Sequence, residues 1–296
     1  MIDKDERLPS IKSAGLIIRP NSKNLYQKYQ RLKDALYKHN IQLLVENSSA
    51  DQLGVLGVDQ EIMFKQSDIL ISIGGDGTLI SLGRKSYLYN KPILGINAGR
   101  LGFLTDIKPD EIESFIDKLA NNQYRIDHRM VLEIELCLGD DCKKLIALND
   151  IVFSRPLVQG MISIDAYASA KQTNKTKKHL NRYYGDGLIV STPSGSTAYN
   201  LSAGGPIIFP LTRALILTPL CPHSLTQRPL VLPADFEVEF SSNDEAIIMI
   251  DGQDIYNMKD FDSIKIKIAK NGIRMIHRLE HNYFDVLKEK LSWGSE

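Results

Sequence analysis

The spacing of apolar residues changes once along this chain, close to residue 129. Before that point, uninterrupted apolar runs such as residues 14–18 and 69–73 alternate with segments of helical spacing, for example residues 111–120. Continuous apolar strands separated by helices are typical of a parallel sheet that is covered on both faces. We therefore predict an N-terminal α/β domain with a parallel sheet.

After residue 129, apolar residues alternate with polar ones. The alternation holds over residues 132–136, 236–240 and 264–268. A period of two, with no helices between the segments, indicates half-buried antiparallel strands. We therefore predict an all-β, sandwich-like C-terminal domain.

The last segment, residues 282–293, returns to helical spacing, with Phe284, Leu287 and Leu291 on one side. We expect this helix to pack back on the first domain. The predicted division is an α/β domain, an all-β domain and a returning tail, over residues 1–128, 129–276 and 277–296.

Charge and composition narrow the function classes. The 296 residues carry 36 Lys+Arg and 36 Asp+Glu, so the formal net charge is zero, and we expect no nucleic-acid partner. The N-terminus is charged, and no apolar run approaches the roughly 18 residues of a membrane span, so we expect a cytoplasmic protein with no membrane partner. Cys137, Cys142 and Cys221 lack metal-ligand spacing, which predicts free thiols in a reducing compartment.

The third predicted strand runs into Gly74-Gly75-Asp76-Gly77-Thr78. Ligands of open parallel sheets bind beyond the carboxyl ends of the strands. The glycines allow a tight backbone that presents N–H groups to an anion, and we expect Thr78 to cap the following helix. A carboxylate within a phosphate cradle suits phosphoryl transfer, because it can take a hydroxyl proton or bind magnesium. The alternative is a tight Asp-Gly turn between strand and helix.

Asp-Gly pairs recur at Asp186-Gly187 and Asp251-Gly252. For the second pair, a hairpin turn is the favoured interpretation. The first pair is followed by a buried strand and by residues 191–206, which are dense in Ser, Thr and Gly. We expect Thr197 to cap a short helix and Gly204 to follow it, so that hydroxyl and N–H groups face a polar or anionic ligand. A plain surface loop is the alternative.

Four segments together resemble NAD kinases: residues 74–78, 148–150, 185–206 and 218–225. The first motif is shared with phosphofructokinases and lipid kinases, whereas the 185–206 block is highly specific in its order and spacing. The resemblance covers about residues 14–293. It implies an α/β domain, a sandwich-like dinucleotide-binding domain, and a dinucleotide that lies between them. It also implies transfer of the γ-phosphoryl group of ATP to the 2′-hydroxyl of the adenosine ribose of NAD, with a divalent metal ion, Mg²⁺.

The resemblance also assigns residues. Asp76 corresponds to the general base facing the 2′-hydroxyl, Asn149 and Asp150 to the pair that holds the adenosine moiety, and Asp186 to a carboxylate near the nicotinamide. The other residues that it assigns to dinucleotide binding are Ser194, Thr197, Ala198, Tyr199, Asn200, Leu201, Ser202 and Gln253. The candidates for phosphate binding come from the glycine motif itself: Gly74, Gly75, Gly77 and Thr78. Phe103, which follows a further predicted strand over residues 92–97, is another candidate for contacting the dinucleotide, with a core position as the alternative.

The chain departs from the family pattern at two positions. Many members have Glu at Asp150 and Arg at Tyr184, so this chain has a shorter carboxylate and lacks one basic residue. Residues 171–182 are basic, which favours a solvated hairpin tip over an element that attracts nucleotides. His277 and His281 are four residues apart with no third ligand nearby in the sequence, so we expect no metal site there.

Two other functions stay open at the level of the sequence. A lipid or sugar kinase would share residues 74–78, and a dinucleotide-binding redox sensor would bind NAD without turnover. Members of the family form homodimers and often tetramers, in which a neighbouring subunit helps to complete the NAD site. The resemblance therefore implies a homodimer or homotetramer.

Overall fold

The computed structural model describes residues 6–20, 24–99, 102–156, 160–170, 176–292 and 294. The chain forms two compact units: unit 1 comprises residues 1–128 and 273–296, and unit 2 comprises residues 129–272. The sequence predicts divisions after residues 128 and 276.

The α-helices of the described residues are α1 (Leu25–Lys38), α2 (Asn47–Leu53), α3 (Gln60–Gln66), α4 (Asp76–Ser86), α5 (Ile112–Ala120), α6 (Tyr199–Ser202) and α7 (Tyr283–Leu291). None of these helices is long and apolar enough to cross a membrane. The strands are β1 (Ser13–Ile18), β2 (Gln42–Val45), β3 (Ile69–Gly74), β4 (Ile93–Asn97), β5 (Tyr124–Arg129), β6 (Leu132–Leu138), β7 (Asp141–Ala147), β8 (Asp150–Ser154), β9 (Ile162–Ala170), β10 (Lys178–Gly185), β11 (Gly187–Ser191), β12 (Ala214–Leu220), β13 (Leu230–Pro233), β14 (Phe236–Ser241), β15 (Ile247–Ile250), β16 (Asp254–Asn257), β17 (Ser263–Ile268) and β18 (Ile273–Arg278).

Unit 1 is built on one six-stranded sheet with the order β2-β1-β3-β4-β18-β5. The pairs β1–β2, β1–β3, β3–β4 and β4–β18 are parallel. Every residue of β3 and β4 is buried, as the uninterrupted apolar runs predict. The predicted α/β domain with a parallel sheet is confirmed. The sequence did not predict that β18, from the far end of the chain, joins this sheet.

Helices lie against both faces of the unit 1 sheet. Ile71 shares a core with Leu32 of α1 and Phe115 of α5. On the other face, Gly15 of β1 lies so close to Met63 of α3 that a Cβ on Gly15 would approach its Cγ to 2.8 Å. The carboxyl ends of β1 and β3, between these helical layers, are left to carry a ligand site.

Unit 2 contains two six-stranded antiparallel sheets, with the orders β10-β9-β14-β17-β6-β7 and β13-β12-β11-β8-β15-β16. Their inner faces share one core, in which the rings of Phe153 and Phe240 lie 4.7 Å apart. Alternation in β9 buries every second residue, and Ile162, Ile164 and Ala166 lie in this core. The predicted sandwich-like domain is confirmed.

The C-terminal helix α7 lies in unit 1 and begins after Asn282, whose side chain accepts a hydrogen bond from the Phe284 N–H. Its buried residues are Tyr283, Val286 and Leu287. The predicted apolar face is therefore wrong for Phe284 and Leu291, because the buried stripe is rotated on the helix and shares only Leu287 with the predicted one.

Cys137 and Cys142 lie opposite each other in the β6–β7 hairpin and form a disulfide. The expectation of three free thiols is wrong for this pair, because the short turn at Gly139 brings two cysteines that are five residues apart into cross-strand register. Cys221 is a free, exposed thiol.

Candidate functional site

The glycine motif of unit 1 lies where β3 ends and α4 begins. Gly75 is the extended N-cap residue of α4, and no side chain caps the helix. The expectation that Thr78 caps it is wrong, because Thr78 lies within the first turn. Its side chain packs over Gly74, where a Cβ would collide with it. Without a side-chain cap, the start of α4 is open to an anionic ligand.

A pocket of about 570 Å³ opens beside the motif. Gly75 and Gly77 line it, and a Cβ at either position would meet no atom within 4 Å. Arg19 and Lys85 bring positive charge to its wall. A helix start combined with two cationic side chains suits a polyanion such as a chain of phosphates.

The carboxylate of Asp76 accepts four hydrogen bonds from the loop that follows β4. Oδ2 accepts one, from the N–H of Phe103 (2.7 Å). Oδ1 accepts three, from the N–H groups of Leu104 (3.2 Å) and Thr105 (3.1 Å) and from the Thr105 hydroxyl (3.1 Å). Because each carboxylate oxygen has about two acceptor positions, Oδ1 is saturated while Oδ2 can accept one more donor.

Gly102 allows this loop to approach Asp76, since a Cβ on Gly102 would overlap with Oδ1 of Asp76. The sequence predicts a dinucleotide contact or a core position for Phe103, but its contact with Asp76 is made by the backbone, and its side chain is half-buried. Gly102 and Thr105 were missed because nothing in the local apolar pattern marks them. Arg100 and Leu101, beside them in the sequence, lie outside the described residues.

In unit 2, the link from β7 to β8 is held by Asp251. The Asp251 carboxylate accepts hydrogen bonds from the N–H groups of Leu148, Asn149 and Asp150. Burial of Asp150, followed by the negative charge of Asp251, raises the pKa of Asp150 to about 7. Asp150 can therefore exchange a proton near neutral pH.

Residues 192–195 contact the same link from another side. The Thr192 hydroxyl donates to the carbonyl of Leu148 (2.6 Å), and the Thr192 N–H donates to that of Asn149 (2.9 Å). Gly195 packs so tightly that a Cβ would overlap with the Asn149 carbonyl. The structure thus brings the predicted Asn149 and Asp150 next to the start of the predicted Ser/Thr/Gly segment, where Ser194 accepts a hydrogen bond from buried Arg129 (3.5 Å).

The short helix α6 is preceded by a 3₁₀ turn over Ser194–Thr197, with Ala198 as its N-cap. Thr197 is therefore not the cap that the sequence predicts, because the chain continues from one helical turn into the next. Gly204 follows the helix with φ +78°, as predicted. Asn200 is the buried residue among the other predicted residues of this segment. The rest are exposed or half-buried: Ala198, Tyr199, Leu201 and Ser202.

Asn200 is fully buried, and its amide is already paired within unit 2. It donates to the carbonyls of Ser196 (3.2 Å) and Pro206 (3.3 Å) and accepts from the Thr218 hydroxyl (2.6 Å). Its side chain therefore holds the segment in shape.

Comparison with known proteins gives the family. Residues 14–124 match the model of the ATP-NAD kinase N-terminal domain, and residues 149–278 match that of the ATP-NAD kinase C-terminal domain. The chain belongs to the NAD kinase family. It is 47% identical over 285 residues to the NAD kinase of Sulfurimonas denitrificans, and the aligned region covers 96% of this chain and 98% of that protein.

Two solved structures resemble this NAD kinase family member. Yeast NADH kinase complexed with NADH superimposes with a TM-score of 0.85 at 23% identity, over 97% of this chain and 89% of the yeast chain. An NAD kinase from Archaeoglobus fulgidus in complex with ATP gives a TM-score of 0.73 at 25% identity, over 95% and 98% of the two chains. The first likeness supports the fold, and the second agrees with the family.

Two further predicted residues lie elsewhere on unit 2. Asp186 joins β10 of one sheet to β11 of the other, and its carboxylate lies 3.3 Å from Arg155 Nη2. Arg155 thus supplies positive charge beside the Asp186 carboxylate. Gln253 closes the β15–β16 turn through its N–H, and its side chain is exposed.

A buried cluster of unit 1 joins residues that the sequence treats separately. Nδ1 of His277 and Nδ1 of His281 each lie 3.2 Å from Oδ2 of Asp106. The expectation that no third ligand accompanies the two histidines is wrong, because Asp106 comes from the loop after β4. The two rings are stacked at 4.5 Å and 10°, however, so one ion cannot lie in both ring planes. The three side chains are buried and their candidate ligand atoms all lie within 4.8 Å of one another, and the absence of a metal site there stays a prediction.

Proposed function

We propose that this protein transfers the γ-phosphoryl group of ATP to the 2′-hydroxyl of the adenosine ribose of NAD, forming NADP and releasing ADP, with Asp76 as general base. The observation that carries the proposal is the Asp76 carboxylate, fixed at the start of α4 beside a glycine-lined, positively charged pocket. Family membership supplies the substrates.

Asp76 meets the demands on such a base. Its three bonds to Oδ1 hold the side chain in one orientation, and Oδ2 retains an acceptor position for a hydroxyl. A ribose hydroxyl is a weak nucleophile at neutral pH, so a base that orients it and takes its proton as the bond to phosphorus forms contributes about 10²–10⁴-fold to the rate.

The pocket supports binding of the ATP phosphates. Gly75 and Gly77 have no side chains that would fill the pocket. Arg19 and Lys85 would stabilise the negative charge of the phosphates during phosphoryl transfer. Glu46 is the one carboxylate among the described residues that line the pocket, and its two oxygens already accept hydrogen bonds from Ser48 and Ser49. This donor set does not fit a dedicated metal cage, so we expect Mg²⁺ to arrive with the phosphates of ATP.

The dinucleotide is proposed to bind through unit 2. Asn149 and Asp150 would contact the adenosine, with Ser194 and the residues from Thr197 to Ser202 around the adenine and ribose. Asp186 and Gln253 would make further contacts with the dinucleotide. The Oδ1 atom of Asn149 supports this role, since it is buried without a hydrogen-bond partner among the described residues.

We also propose a cytoplasmic homodimer or homotetramer. The cytoplasmic location rests on the proposed substrates, ATP and NAD, which are cytoplasmic metabolites. The oligomer rests on the edge strands of the sandwich, such as β13, which an interface would cover. The Cys137–Cys142 disulfide is uncommon for that compartment, and thiol titration of protein purified without oxygen would show whether the pair is reduced there.

Formation of NADP from NAD and ATP tests the proposed function. A dehydrogenase that accepts only NADP would report the product, and the expected signal requires both substrates and a divalent metal. Phosphorylation of a lipid or sugar instead would replace the proposal with another kinase activity. Tight NAD binding without any NADP would indicate a dinucleotide sensor.

A further inference from the structure

The carboxylate of Asp251 holds three consecutive backbone N–H groups of the β7–β8 link. Oδ2 accepts from Leu148 (2.7 Å), and Oδ1 accepts from Asn149 (2.8 Å) and Asp150 (3.0 Å). The N–H of Asp251 in turn donates to the carbonyl of Asp150 (3.0 Å). Hydrogen bonds to an ionised acceptor are roughly twice as strong as neutral ones, so this set fixes the backbone of the link firmly.

The turn that carries Asp251 does not require a carboxylate. Asp251 has φ +47° and Gly252 has φ +64°, and the Gln253 N–H donates to the Ile250 carbonyl (2.9 Å). This is a β-turn over residues 250–253 with two left-handed central positions, as the Asp-Gly pair predicts, and asparagine or glycine suits the first of them equally well. The three bonds to the link, by contrast, require the two acceptor oxygens of an aspartate.

The link is held on its other side by Thr192, which pairs with the carbonyls of Leu148 and Asn149. The backbone N–H and carbonyl groups of the link therefore already have hydrogen-bond partners within the protein. The side-chain Oδ1 of Asn149, in contrast, is buried with no hydrogen-bond partner among the described residues. An acceptor that is held rigidly and left unsatisfied is suited to a ligand N–H or O–H donor.

We propose that Asp251 is a positioning residue for the dinucleotide: its ionised carboxylate sets the orientation of Asn149 and Asp150 towards NAD. This inference rests on the proposed function and extends it to a residue that does not itself contact the substrate. Asp251 acts through the backbone of the link, so it belongs with substrate binding rather than with the phosphoryl-transfer step.

The charge of Asp251 gives the role a pH signature. Two neighbouring elements face Asp150. Strand β11 places the uncharged Ser191 opposite Asp150, and the β15–β16 turn brings the Asp251 carboxylate to its backbone N–H. Burial and then Asp251 raise the pKa of Asp150 to about 7. Removing the Asp251 charge therefore lowers the pKa of Asp150 and moves any proton-linked change in NAD affinity to lower pH.

The test compares the wild-type chain with Asp251→Asn, which suits the same turn. We expect the KM for NAD to rise at least about tenfold, while the KM for ATP and the kcat at saturating NAD change by less than about threefold, because the lost contacts affect ground state and transition state alike. The pH midpoint of NAD affinity, measured by calorimetry, should fall. Amide exchange at residues 148–150 in the ligand-free protein should accelerate.

Asp262→Asn is the matched control. Its carboxylate accepts a hydrogen bond from the backbone N–H of Gly139 (2.9 Å) at a hairpin of the other sheet. This variant loses a similar carboxylate-to-backbone bond, and we expect all five measured quantities to match the wild type.

The outcomes are separable. If the wild type makes NADP and Asp251→Asn keeps its KM for NAD and its pH midpoint, the positioning role is wrong and the proposed function stands. Equal increases in the KM for both substrates would indicate general damage and would also reject the role. A wild-type chain that makes no NADP would remove the proposed function and this inference with it.

Discussion

Three aspartates of this chain use the same side chain in different ways. Asp76 accepts four hydrogen bonds and keeps one acceptor position, and Asp251 accepts three bonds from one backbone link. Asp150 is buried beside Asp251, where its ionised form is disfavoured. The sequence selects Asp76 and Asp150, but the partners that define their chemistry lie about 28 and 101 residues away, which no local pattern can reveal.

At Asp76, replacement by Asn tests the general base. In Asp76→Asn, an amide NH₂ at the Oδ2 position would face the Phe103 N–H and could not take a proton. We expect kcat to fall at least about 10²-fold, with NAD affinity within a few-fold of the wild type. Steady-state kinetics and calorimetric titration with NAD measure the two quantities.

Thr105→Val is the matched control for this change, because it removes one bond to Oδ1 and leaves the carboxylate in place. The hydroxyl also accepts a hydrogen bond from the Asn97 amide (3.2 Å), but Asp76 loses only one of its four bonds, so kcat should stay within about tenfold of the wild type. A kcat for Asp76→Asn that equals or exceeds that of Thr105→Val would remove Asp76 from the chemical step.

The raised pKa of Asp150 predicts that this residue lowers the folding stability at neutral pH while it contributes to NAD binding. Because folding raises this pKa from 3.8 to about 7, the folded protein keeps a proton that the unfolded chain loses between these values. The contribution of Asp150 therefore lowers stability as pH rises through this window. Asp150→Asn removes the effect, so its stability relative to the wild type should increase by roughly 2–3 kcal/mol between about pH 5 and pH 8.

Urea unfolding of both proteins at the two pH values measures this change. The variant should bind NAD more weakly even where it is more stable, since it lacks the carboxylate. A stability difference that does not vary with pH would show that Asp150 titrates normally.

At the scale of elements, the sequence predicts what local periodicity controls. The predicted helix over residues 111–120 forms as α5, and the apolar residues that repeat at helical spacing within it are all buried: Ile112, Phe115, Ile116 and Leu119. For α7, two overlapping stripes are compatible with the sequence, and packing within unit 1 selects the one with Tyr283 and Val286. Helices α2 and α3 were missed, since segments of seven residues carry little periodic signal.

The loop after β4 gives a prediction about an element rather than one side chain. A Cβ on Gly102 would overlap with Asp76 Oδ1, so Gly102→Ala must displace the loop and break its bonds to the carboxylate. We expect a loss of about 1–3 kcal/mol in stability and a clear fall in kcat.

Gly99→Ala is the control in the same loop, because a Cβ at Gly99 would meet no atom within 4 Å. It should resemble the wild type in thermal melting and in kinetics. Equal effects of the two substitutions would show that the loop tolerates or rejects alanine for reasons unrelated to Asp76.

At the scale of the whole molecule, the change in apolar spacing predicts two architectures in one chain, and both are present. What the sequence does not predict is connectivity over long distances. β18 pairs with β4 across about 180 residues, with Met275 opposite Ile93, and this pairing depends on the tertiary fold rather than on any local signal. The same long-range pairing of β18 with β4 brings His277 and His281 next to Asp106.

The proposed assembly can be tested by mixing two inactive chains. If Asp76 of one subunit and Asp186 of another serve the same site, a dimer of Asp76→Asn with Asp186→Ala carries one doubly damaged site and one intact site. Random exchange of equal amounts makes about half of the dimers mixed, so activity should return to about a quarter of the wild type per chain. Native mass spectrometry would confirm that mixed dimers form. Mixed dimers without activity would reject a site that Asp76 of one chain shares with Asp186 of another.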